Sequence, residues 1–150
     1  MIKLEDKKFI QLFFLILLFK IINGYVFTYI NHRFFKLENA IFEELSEKEM
    51  FFLAVVLAPI IETLIFQLFL YRLLDKTRIN NMPIIIILMS FAFSQAHWYH
   101  WLYVVAAFIN GIFLNYFYLY TYKKKNELIA VLLTIVLHSS YNLFGFLFVE

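Results

Sequence analysis

Apolar residues in this chain run in long blocks instead of alternating with polar ones. Five stretches are almost continuously hydrophobic: 9–30, 49–71, 83–97, 101–122 and 128–149. A helix needs roughly 20 mostly apolar residues to cross a hydrocarbon core. Four stretches meet that length, and the third, with 15 residues, falls short. Polar residues mark the ends. Ser46 and Glu49 have the spacing of a capping box that opens the second helix. Asn80-Asn81-Met82-Pro83 places caps and an early proline at the third, and Asn126 can cap the fifth. The first stretch follows Lys3, Lys7 and Lys8, but it is too long for a signal-peptide core and no small-x-small site follows it. It is expected to be a retained anchor.

Composition agrees with the pattern. The chain is 63% hydrophobic and 21% aromatic, with only 16% charged residues, against about 45–50% apolar in soluble domains. The predicted class is an all-α, polytopic transmembrane bundle of about five helices. The expected organisation is one membrane domain over 1–150, with an anchor helix and polar loop at 9–48 and a catalytic bundle at 49–150. Nine basic residues (Lys3, Lys7, Lys8, Arg72, Lys76, Arg78, Lys123, Lys124, Lys125) fall on one side and three (Arg33, Lys36, Lys48) on the other. The positive-inside rule then puts the N-terminus in the cytoplasm, and a bacterial inner membrane is the expected location. The net charge of +2 gives no reason to expect nucleic acid as a partner, and the absence of cysteine removes thiolate chemistry.

Polar residues inside the apolar blocks are the candidates for chemistry. Glu62 lies in the middle of the second stretch, where a carboxylate costs at least ~2.5–3.5 kcal/mol to insert. It is either functional or a protonated, hydrogen-bonded link between helices. Pro59 has no N–H, so in an α-helix the Val55 carbonyl loses its partner and a kink is expected. Phe93 and His97 are four apart, as are His138 and Asn142, so each pair shares a helical face. Trp98, Tyr99, His100 and Trp101 read as an interfacial aromatic belt. A glutamate, two histidines and an asparagine on three helices offer a base, proton carriers and oxyanion donors. No HExxH motif is present, although Glu62 with His97 and His138 could hold a metal such as zinc.

Pro59-Ile60-Ile61-Glu62-Thr63-x-x-x-Gln67, then Phe93-x-x-x-His97, then His138-x-x-x-Asn142 resembles the three ordered motifs (EExxxR, FxxxH, HxxxN/D) of the CPBP or Abi family. That family holds type 2 CAAX prenyl proteases and bacteriocin-processing or immunity proteins. The resemblance covers about residues 50–147. It implies an intramembrane endopeptidase in which Glu62 and His97 activate water while His138 and Asn142 hold the oxyanion. It leaves metal dependence open, and it allows a prenylated C-terminus, a peptide precursor or a membrane-protein stub as substrate within the lipid bilayer. Thr63 and Gln67 depart from the family's Glu and Arg. Both ends are neutral, and the expectation is that they replace a structural ion pair by hydrogen bonding to each other. Glu43-Glu44-x-x-x-Lys48 also fits EExxxR but lies in a polar loop and reads as a solvated charge run. Two rivals stand beside the protease: a non-catalytic immunity or partner-binding membrane protein, and a proton-relaying transporter. In a straight third span His97 would lie near the outer face, so either the 98–100 turn dips inward or the site lies off the midplane. Asn110 is expected to line the same cavity.

Overall fold

The computed structural model describes residues 4–37, 45–77 and 79–149; Lys3, Arg78 and the Glu43-Glu44 pair lie outside the described residues. The described residues form five helical runs and no strand. Helix α1, Leu4–Ile30, continues into one π-helical turn, Asn31–Phe35. Helix α2, Glu47–Lys76, mixes α and π turns; α3 is Met82–Gln95, α4 Trp101–Lys124 and α5 Glu127–Phe148. Runs α1, α2, α4 and α5 are long and apolar enough to cross a membrane, while α3 is a shorter apolar helix of 14 residues.

The expected caps are in place. Ser46 Oγ accepts from the Glu49 N–H, and Glu49 returns a carboxylate to the Ser46 N–H at 2.9 Å. Asn81 accepts from Ile84 N–H and Asn126 from Ile129 N–H. His100, grouped in the sequence with the aromatic belt, caps α4 by accepting from Tyr103 N–H at 3.1 Å.

Helix α4 is the central element, packed against α1, α3 and α5. One buried cluster joins Tyr71, Met89, Tyr118 and Ala130 toward the lysine-rich end; a second joins Ile16, Phe93, Phe117 and Leu137. Gly111 sets the α3–α4 distance. A Cβ there would lie 3.2 Å from Ser90 Cα and 3.2 Å from Phe93 Cδ1, so any larger residue would push its neighbours back by a few tenths of an ångström. The many large apolar side chains left outward, among them Phe14, Phe69 and Leu132, are what a lipid solvent requires.

Pro59 is accommodated differently from the α-helical expectation. Phe52–Leu57 forms a π turn in which the Ala58 N–H bonds to the Leu53 carbonyl, five residues back. In that register the carbonyl deprived by Pro59 is Ala54, not Val55. Ala54 is also where α5 attaches: Asn142 Nδ2 donates to its carbonyl at 2.7 Å. A buried carbonyl without a partner is costly in hydrocarbon, and an asparagine from a neighbouring helix supplies the missing donor.

Helix α3 stops two residues before the predicted end. The Ala96 and His97 N–H groups bond to Phe93 and Ser94 carbonyls at 3.2 and 3.0 Å, an i→i−3 tightening that closes the helix. Fourteen residues rise about 21 Å, so α3 cannot cross a ~30 Å core upright. It ends beside the middle of α2, where His97 meets Glu62.

Candidate active site

Glu62 projects from the middle of α2, between the π turns Phe52–Leu57 and Thr63–Phe69. Wide turns of this kind recur at functional positions because they redirect side chains without ending a helix. Two imidazoles from different elements converge on one oxygen. His97 Nε2, from the turn after α3, and His138 Nε2, from α5, each lie 3.6 Å from Glu62 Oε2. That oxygen is buried and makes no hydrogen bond within the protein.

The tautomer of His97 follows from its other nitrogen. Nδ1 is 2.8 Å from the Phe93 carbonyl, which can only accept, so Nδ1 carries the proton. The neutral ring then turns the lone pair of Nε2 toward Glu62. Two acceptors facing each other can share one donor, the arrangement needed to hold a water by its two hydrogens. Phe93 also braces both rings, at centroid separations of 4.4 Å to His97 and 5.8 Å to His138. It thereby places the two histidines together, a task the four-residue spacing alone did not reveal.

The other predicted residues divide. Asn142 lies one turn beyond His138, but its side-chain hydrogen bond goes to Ala54. Thr63 and Gln67 are fully buried and do not bond to each other. Gln67 Nε2 donates to Asn115 Oδ1 on α4 at 2.8 Å, and Asn115 Nδ2 donates to Ser90 Oγ on α3 at 2.9 Å. Thr63 Oγ1 has no partner. The expected Thr63–Gln67 bond is therefore replaced by an interhelical chain, since the π turn takes i and i+4 out of α-helical alignment and α4 presents a better acceptor. Asn110 donates to the Tyr141 hydroxyl at 2.9 Å, beside the site.

The proposed metal set does not fit. Among the described residues no three His, Asp, Glu or Cys side chains are arranged to hold a metal. His138 Nδ1 also lacks any hydrogen-bond partner, whereas a metal-bound imidazole is ordinarily oriented by its outer nitrogen.

One residue passed unnoticed in the sequence. Lys20, in the middle of α1, is only 1% exposed, and its ammonium lies 4.7 Å from the centroid of the Tyr141 ring. The ring it faces belongs to a residue three positions after His138 on α5. A lone lysine within the apolar run 9–30 was the available signal.

The fold and this cluster define an integral, multi-pass membrane protein with a carboxylate–imidazole site enclosed by its helices. A family model described as type II CAAX prenyl endopeptidase, Rce1-like, matches residues 44–144. The chain belongs to that family. No curated protein and no solved structure matches it.

Proposed function

We propose that the protein is an intramembrane endopeptidase of the CPBP, type 2 CAAX protease kind, hydrolysing a peptide bond with water activated by Glu62 and His97. The observation that carries the reading is Glu62 Oε2, buried, without a hydrogen bond and faced by two imidazole nitrogens at 3.6 Å. Water held between Glu62 and the His97 lone pair loses a proton to the carboxylate as its oxygen attacks the substrate carbonyl. The C–N bond then breaks, and the proton held on Glu62 passes to the departing amine. His138 serves the oxyanion. Its Nδ1 has no acceptor in reach, so the proton is better placed on Nε2, where it can be donated. Asn142 uses one amide hydrogen on Ala54 and keeps the second for the same oxyanion.

Family membership supports a peptide or protein presented within the bilayer as substrate, and we take it to carry a prenylated C-terminus or to be a peptide precursor. The rival reading is a non-catalytic immunity or partner-binding protein. It draws on the neutral Thr63 and Gln67, which the structure uses for helix packing.

The test is cleavage of a panel of prenylated C-terminal peptides and peptide precursors by purified protein in lipid nanodiscs. Wild type is expected to cleave at least one, with or without a chelator, and Glu62→Gln none. Absence of cleavage by wild type across the panel, or equal cleavage by both, favours the non-catalytic reading.

A further inference from the structure

The three motif segments that build the site contain no lysine or arginine; residue 67, on the helix of Glu62, is glutamine. Among the described residues Lys20 is the only buried lysine or arginine, and it comes from α1, outside the matched region 44–144. A buried ammonium in a membrane interior persists only when something compensates it.

The α1 face carrying Lys20 is built to sit against the site. Asn23, one turn on, donates to the Ala106 carbonyl of α4 at 3.0 Å. Gly24 lies so close to α5 that a Cβ would stand 3.1 Å from the Tyr141 hydroxyl. Tyr141 receives the Asn110 amide on its oxygen and offers its ring to the Lys20 ammonium. Tyr141 follows His138 by three residues on α5, so the ammonium is brought to the histidine side of the cluster. The ionisable groups of that cluster are Glu62, His97 and His138. Glu62 is the only one of these that bears negative charge.

We infer that Lys20 is the counter-ion of Glu62: a positioning residue on α1 that compensates the carboxylate and makes α1 part of the working site. Its catalytic consequence rests on the proteolytic reading; the charge pairing does not. Asn23 fixes α1 against α4, and the Tyr141 face contributes attraction to the cation.

The experiment is a double-mutant cycle between Lys20→Met and Glu62→Gln, read as reversible unfolding of the full chain in bicelles. Each single substitution strands one buried charge. The double variant removes both, so its loss is expected to be smaller than the sum of the singles by roughly tenfold or more in the unfolding equilibrium constant. Additive losses overturn the inference. If Lys20→Met does not fold, recovery of folding in Lys20→Met/Glu62→Gln supports the pairing, and failure of both overturns it. In the peptide assay, Lys20→Met and Lys20→Gln should lose activity that Lys20→Arg restores, an outcome that packing alone would not produce. Equal activity in Lys20→Gln and wild type counts against the inference. A coupled pair in a chain that cleaves nothing overturns the protease reading and leaves the counter-ion standing.

Discussion

Truncating Asn142 tests the link between α5 and the Ala54 carbonyl that Pro59 leaves unpaired. In Asn142→Ala the Ala54 carbonyl loses its 2.7 Å donor, and Pro59, five residues on in the π register, has no N–H to replace it. An interhelical hydrogen bond in a membrane contributes roughly 0.6–1.7 kcal/mol, and a buried acceptor left without a partner costs ~1–3 kcal/mol. These are overlapping descriptions of one loss, so the expected destabilisation is about 2 kcal/mol, or about 30-fold in the folding constant. Pro59→Ala returns an N–H at position 59, aimed by the existing turn at the Ala54 carbonyl. In that background Asn142→Ala should cost less than ~1 kcal/mol, leaving a coupling of about 1 kcal/mol or more between two residues linked through one carbonyl. Steric-trapping measurements of unfolding in bicelles on the wild type, both singles and the double give all four corners. If Asn142→Ala costs the same in both backgrounds, the orphaned carbonyl is not what Asn142 serves.

Further outcomes follow from the same packing. Thr63→Val should leave stability within ~0.5 kcal/mol of wild type or raise it, because the hydroxyl is buried without a partner; a loss above 1 kcal/mol would reveal a bond that the geometry does not show. Gln67→Ala should cost ~1–3 kcal/mol by stranding Asn115, while Gln67→Leu with Asn115→Leu should cost less than Gln67→Ala, measured by the same unfolding assay. Gly111→Ala should cost ~1–3 kcal/mol through overpacking and lower cleavage as well, since the displaced helix α3 leads directly into His97; normal activity would mean that α3 can shift freely.

Much of this architecture was legible because its causes are local. Block hydrophobicity and the caps at Ser46, Asn81 and Asn126 depend on neighbours within a turn or two, and the structure realises them within a few residues. Glu62, His97 and His138 stood out because ionisable and polar groups in apolar runs are rare. What escaped depends on tertiary register. The α-helical count from Pro59 pointed to Val55, and only the packed bundle selects the π turn that shifts the need to Ala54. Spacing suggested that Thr63 and Gln67 would pair, but Asn115 on another helix claims the amide. The early end of α3 brings His97 to Glu62. Lys20 was obscured by the surrounding leucines, isoleucines and phenylalanines of the anchor, though a mid-span lysine is as anomalous as a mid-span glutamate.

Activation of the attacking water by Glu62 is the step on which the proposed hydrolysis depends. Its most direct test is the cleavage rate of purified Glu62→Gln in lipid nanodiscs, on a peptide that wild type cuts, alongside its unfolding stability. The expected result is a fall of ~10²–10⁴ in rate, the range for loss of a general base, in a variant that still inserts and folds. A folded Glu62→Gln that cuts at the wild-type rate would contradict it.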